Sequence, residues 1–186
     1  VLNGKLYAIG GAGLSSVEVF DPSAGQWSAG PPLPNTLRHG AALTVNGKIL
    51  LLGGVNSSGQ NTNQVSELDP ASNQWNSKAP MYTPQTGMKV LFFQDKVWAI
   101  GGHHSTYLNK VEIYDTHSNS WSPGPSLKIA RHWSSAWVAN GKIYVAGGRS
   151  GSSTFLSSIE SYEPSGKQWV ADGFLSEIKY VADAAV

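Results

Sequence analysis

A chain of 186 residues with 13 basic and 12 acidic side chains, 21 glycines and no cysteine is long enough for one domain with a sizeable core, or for small units that share one. Nearly cancelling charge argues against nucleic acid as a partner, and the missing cysteine excludes a disulfide framework, a thiolate nucleophile and a thiolate metal site. No apolar run approaches the roughly 20 residues that span a bilayer, so a soluble molecule is expected, and the opening Val-Leu-Asn-Gly, with neither initiator Met nor basic-apolar leader, reads as processed or excised from something longer.

In chain order, the first legible element is NGKLYAIGG, which ends on Gly10-Gly11. The phrase returns as NGKILLLGG ending on Gly53-Gly54, QDKVWAIGG on Gly101-Gly102 and NGKIYVAGG on Gly147-Gly148. A fixed period in the forties marks stacked supersecondary units. After each glycine pair comes a stretch of variable length, then a strand-like segment closing on an acid: VEVFD, VSELD, VEIYD and IESYE. Asp21 leads to Trp27, Asp69 to Trp75, Asp115 to Trp121 and Glu163 to Trp169, always six residues on. That rigid spacing predicts a tight turn, and Asp-Pro with Ser, Asn or Gly has the chemistry for one.

Ahead of each glycine pair, runs such as HGAALTV, then NGK, then ILLL predict two strands joined by an Asn-Gly hairpin. Each repeat is thus a four-strand antiparallel meander, with strands A (HGAALTV), B (KILLLGG), C (VSELD) and D (the tryptophan segment). Strand B is apolar on both faces, as in Ile143-Tyr144-Val145-Ala146, so both sides should meet other protein. The glycine pair is expected to let another sheet's aromatic side chain approach the backbone.

The double glycine, the aromatic three places before it (Tyr7, Trp98, Tyr144, with Leu50 the exception) and the tryptophan six after the turn acid together resemble the kelch repeat, over essentially the whole chain. The resemblance implies an all-β β-propeller of four kelch-type four-stranded antiparallel blades. On this reading residues 1–186 are one domain: blade 1 is 179–186 plus 1–34, blade 2 is 35–82, blade 3 is 83–128 and blade 4 is 129–178. Asp183 to Val186 would supply strand A of the first blade and close the ring. A fragment of a larger propeller stays open beside a self-contained ring.

Because meander strands alternate in direction, the A–B and C–D turns share one face, and the B–C loops and D–A connections share the other. The second face carries unequal loops (AGLSS, VNSSGQNTNQ, HHSTYLNK, RSGSSTFLSS), and variable loops on a rigid scaffold are the usual seat of binding. Side chains repeated in every blade read as scaffold. Among them are the strand C acids Glu18, Glu112 and Glu160, with Ser66 in their place in blade 2. What remains on or near the loop face is Arg38, His39, His103, His104, Tyr107, Arg131, His132, Trp133, Arg149 and Phe155. Guanidinium, imidazole and aromatic groups at one mouth suit a protein or peptide ligand of acidic character. For Arg38 and Arg131 a second reading, bracing of the D–A connections, carries equal weight.

No catalytic residue, metal site or cofactor is assigned, since neither a Ser-His-Asp nor a Cys-His signature is present and His103-His104 lacks a third ligand at diagnostic spacing. The resemblance therefore implies a non-catalytic binding module, with no nucleic acid and no membrane as partner. A small sugar or sialic-acid mutarotase-like enzyme is the alternative of a different class. The copper-radical oxidase type is set aside, because its thioether cofactor requires a cysteine. Asn56-Ser57-Ser58 would be a glycan acceptor in a secreted chain.

Overall fold

The structure is a computed structural model that describes residues 1–178. Fifteen strands and no helix occur among them. The chain forms two compact units, Val1–Pro84 and the part from Gln85 onward.

In the first unit, β1 (Leu6–Ile9), β2 (Val17–Asp21) and β3 (Gln26–Ala29) make a three-stranded antiparallel sheet, the B, C and D strands of blade 1. Its expected strand A, Asp183 to Val186, lies outside the described residues. Blade 2 is complete, with β4 (Ala41–Val45), β5 (Lys48–Leu52), β6 (Val65–Asp69) and β7 (Gln74–Lys78) side by side in chain order. The second unit repeats the meander twice. Blade 3 has β8 (Lys89–Phe93), β9 (Lys96–Ile100), β10 (Val111–Asp115) and β11 (Ser120–Pro123), and blade 4 has β12 (Ser135–Ala139), β13 (Lys142–Ala146), β14 (Ser158–Glu163) and β15 (Gln168–Phe174).

The turns follow the local chemistry. Every A–B hairpin has two consecutive residues at positive φ: Asn3-Gly4, Asn46-Gly47, Gln94-Asp95 and Asn140-Gly141. This is the mirror-image turn whose twist matches paired strands; blade 3 adopts it without glycine. In the C–D turns the residue before strand D is left-handed in each blade, at Gly25, Asn73, Asn119 and Lys167. The turn acid holds the other end. Asp115 Oδ1 accepts the amides of His117 at 2.8 Å and Ser118 at 3.2 Å, while Lys96 pairs with its other oxygen. Lys96 and then these amides hold the Asp115 carboxyl at about 2, below the ordinary carboxylate range.

In blades 2 to 4 strand B is buried on both faces, as its composition predicts: Leu50, Leu51, Val97, Ile100, Val145 and Ala146 are inaccessible or nearly so. In blade 1 the same expectation fails, since β1 is exposed or half-buried throughout. In the first unit Val17, Val19, Leu33 and Leu51 pack with Tyr7, Ile9, Leu37 and Trp75. In the second, Phe93, Trp98, Tyr162 and Trp169 form a chain of rings, with Trp98 and Tyr162 4.8 Å apart and Tyr162 and Trp169 5.6 Å apart. Two of the strand D tryptophans are also pinned by the indole N–H. Trp75 donates to Pro31 O at 2.9 Å and Trp169 to Pro125 O at 2.8 Å, fastening strand D to the connection that enters its blade.

Two expectations are corrected here. The glycine pairs do not make room for an aromatic ring. A Cβ on Gly10 would lie 2.6 Å from Leu37 O, and one on Gly101 would lie 2.4 Å from Arg131 O, so it is the backbone of a D–A connection that presses in. Both glycines also have positive φ, at 62° and 66°, a conformation favourable to glycine. The strand C acids, which look like buried carboxylates in the sequence, are not uniformly buried either: Glu112 and Glu160 are, but Glu18 is exposed.

Candidate functional site

The loop face is built by one rule repeated in blades 2, 3 and 4. Near its end, each D–A connection places a residue in an antiparallel bridge with the residue just after the glycine pair: Arg38 with Val55, Thr86 with His103, and His132 with Arg149. That partner bridges in turn to the far side of the B–C loop, Val55 to Asn61, His103 to Tyr107 and Arg149 to Phe155. The next connection residue is left-handed: His39 at 55°, Gly87 at 61° and Trp133 at 55°. Three short extended segments therefore cap each blade, and nearly all the candidate residues fall on these few positions.

In the second unit the cap side chains join into one patch. His103 lies 5.1 Å from Tyr107 and 5.5 Å from His132, ring centre to ring centre. His132 stacks on Trp133 at 4.2 Å. The Arg149 guanidinium sits 5.9 Å from the Trp133 ring centre and 5.2 Å from that of Phe155, and it donates a hydrogen bond to Ser152 O. Desolvation, and then the neighbouring His104, lower the His103 pKa below the ordinary histidine range, so the ring is neutral at pH 7. Tyr107, Trp133 and Arg149 are half-buried, His132 is buried, and His104 and Phe155 are exposed. In the first unit, Arg38 and His39 hold the corresponding places of blade 2 and are exposed.

Arg131 belongs elsewhere. It is 0% exposed, and of its two readings the geometry supports the brace. Its Nη1 donates to Gly147 O at 3.0 Å and Ser158 O at 3.1 Å, and its Nη2 donates to Ser158 Oγ at 3.2 Å and Glu160 Oε1 at 2.8 Å. Glu160 also accepts the amides of Lys128 at 2.6 Å and Ile129 at 3.0 Å. The pair ties the entering connection to strands B and C of blade 4. Burial lowers the Arg131 pKa, and Glu160 opposes that shift.

Gly87 was not singled out by sequence, yet it shapes the patch. A Cβ there would lie 2.1 Å from His132 Nε2 and 2.8 Å from Trp133 Cδ1. Backbone conformation alone does not demand glycine, since His39 and Trp133 adopt the same φ at the equivalent positions. Gly87→Ala is expected to displace the His132 ring and lower stability by about 1–3 kcal/mol. The check is a shift of the Trp133 indole N–H resonance together with an earlier denaturation midpoint; an unmoved resonance would contradict the role given to Gly87.

Among the described residues, no group of three or more His, Asp or Glu side chains could hold a metal ion, and no helix is long and apolar enough to cross a membrane.

Comparison with known proteins adds three findings. A family model described as the KLHDC2/KLHL20/DRC7 Kelch-repeats domain matches residues 1–173. Kelch-like protein 35 of Homo sapiens is 43% identical over 172 residues, 90% of this chain and 29% of that protein, and galactose oxidase of Gibberella zeae is 38% identical over 63 residues, 33% of this chain and 9% of that one. The chain thus spans less than a third of the length of these relatives. A solved structure of YjhT superposes with a TM-score of 0.86 over 98% of this chain and 71% of its own, at 18% identity. With the meanders described above, this likeness shows the all-β propeller fold.

Proposed function

The chain belongs to the kelch-repeat family, and on that premise we propose that it is a non-catalytic module that binds an acidic protein or peptide through the B–C loops and D–A connections of blades 3 and 4. The observation that carries this reading is the contiguous patch of Tyr107, His103, His132, Trp133, Arg149 and Phe155. Near two rings and hydrogen-bonded to Ser152 O, the guanidinium is oriented before a ligand arrives, which reduces the ordering cost of a charge-assisted contact with a carboxylate. The flanking aromatics supply flat, rigid area of the kind that dominates binding energy at interfaces. The mutarotase-like alternative would need a carboxylate beside the arginine, whereas the contacts given for Arg149 among the described residues are with the Trp133 and Phe155 rings and the Ser152 carbonyl.

The test is fluorescence anisotropy with matched peptides rich in Glu/Asp or in Lys. Acidic peptides are expected to bind, more weakly as salt rises, and Arg149→Ala should weaken that binding at least about tenfold with little change in unfolding midpoint. Equal binding of the two peptide sets, or full binding by the variant, would overturn the reading.

A further inference from the structure

A different part of the molecule carries a cavity of about 480 Å³, lined wholly by residues of the first unit. Internal comparison explains its origin. Leu33, Met81 and Leu127 mark the same place in three successive D–A connections, because each donates its amide to a B–C loop carbonyl: Ser15 at 2.7 Å, Asn63 at 2.9 Å and Asn109 at 2.8 Å. Counting on from that place, Leu37 of blade 2 corresponds to Arg131 of blade 4, and Pro34 corresponds to Lys128. On strand C, Ser66 corresponds to Glu160.

In blade 4 the Arg131–Glu160 pair fills this space and is sealed by the Lys128 and Ile129 amides. Blade 2 has lost all but one of these parts together: leucine replaces the guanidinium, serine the carboxylate, and proline, which has no N–H, one of the two donors. The acid of its strand C stands one residue on, at Glu67, on the opposite face of the strand, where Lys48 pairs with it at 3.1 Å. Leu37, Gly53, Gln64 and Ser66 now line an opening at the place where blade 4 buries the Arg131–Glu160 pair.

The lining specifies a ligand class. Among the described residues no carboxylate lines the cavity, and its single charged group, Lys78, lies 3.5 Å from Glu67. With the guanidinium and one amide gone, an anion would lack most of the groups that hold the carboxylate in blade 4. A cation would find no counter-charge. What the walls offer is neutral hydrogen-bonding groups at Asn56, Thr62, Gln64, Ser66 and Ser77, beside an aliphatic floor of Leu33, Leu37, Leu51 and Val65. A few placed polar groups around apolar surface, in this volume range, describe a small-molecule site. We propose that the blade 2 cavity binds a neutral polyhydroxylated ligand of mono- or disaccharide size, either free or carried on a glycosylated partner.

The experiment is titration of the isotopically labelled chain with glucose, galactose, mannose, N-acetylglucosamine and lactose, and in a second arm with glycopeptides that carry the same sugars. Saturable shifts at the amides of Thr62, Gln64, Ser66 and Ser77 are expected with at least one of them. Response to the free sugars identifies a free saccharide as sufficient, and response to glycopeptides alone identifies a protein-linked glycan. The double variant Leu37→Arg/Ser66→Glu, which rebuilds the blade 4 pair, should weaken binding at least tenfold. Ser77→Ala, a smaller change that leaves the fold undisturbed, should weaken it severalfold. No saturable shift with any probe in either arm, shifts located elsewhere, or binding indifferent to both variants would overturn the proposal.

Discussion

Replacing Arg131 by methionine is expected to destabilise the protein by about 3–5 kcal/mol, read as a lower denaturant midpoint at unchanged slope. Methionine conserves much of the volume, so the loss reports on charge and hydrogen bonding rather than on a cavity. The guanidinium makes four hydrogen bonds, to two carbonyls, a hydroxyl and a carboxylate, and without it Glu160, 2% exposed, is left as a buried carboxylate with only the two amides of Lys128 and Ile129. The larger part of the expected cost is that stranded charge. Adding Glu160→Gln, which removes the charge and keeps a carbonyl for one of the two amides, should therefore recover part of the loss. Additive losses in the double variant would show instead that the two residues act independently and that Arg131 is not the partner that makes a buried Glu160 tolerable.

The second large effect contrasts two residues at the same position of the repeat. Trp169→Ala is expected to cost about 3–5 kcal/mol, because the indole is 1% exposed, packs against Tyr162 and donates to Pro125 O. Trp27→Ala is expected to cost about 1 kcal/mol or less. That indole is 56% exposed and its ring contact is with Phe20, 5.2 Å away. Matched unfolding curves of the two variants decide the matter. Equal losses would mean that the outer face of Trp27 is covered in solution as that of Trp169 is.

These contrasts show where the repeat pattern is informative and where it stops. The hairpins were legible because their rule is local: Asn-Gly can occupy left-handed space at little cost, and the left-handed residue before strand D recurs as Gly25, Asn73, Asn119 and Lys167. The glycine pairs were legible as special but not for the right cause. What presses on Gly10 is the carbonyl of Leu37, 27 residues away in the chain, and backbone carries no signature that identifies it as a neighbour. The sieve that set aside repeated residues as scaffold placed Glu160 correctly, yet it kept Arg131 among the candidates, because a brace that occurs in one blade looks the same in sequence as a ligand group that occurs once.

Periodic, short-range information was enough to determine the strands, their order within each meander, the turn conformations and the face on which variable loops emerge. All of these follow from φ preferences and from the alternation of strand directions, which act within a few residues. Only the tertiary structure decided that Arg131 is sealed inside while Arg149 lies beside the Trp133 and Phe155 rings, that Gly87 makes way for His132, and that the Leu37 and Ser66 positions of blade 2 leave an opening where blade 4 buries its Arg131–Glu160 pair. Those outcomes depend on which side chains from distant connections and strands compete for the same volume, and that competition is settled by packing and by the desolvation of charge, not by any local preference of the chain.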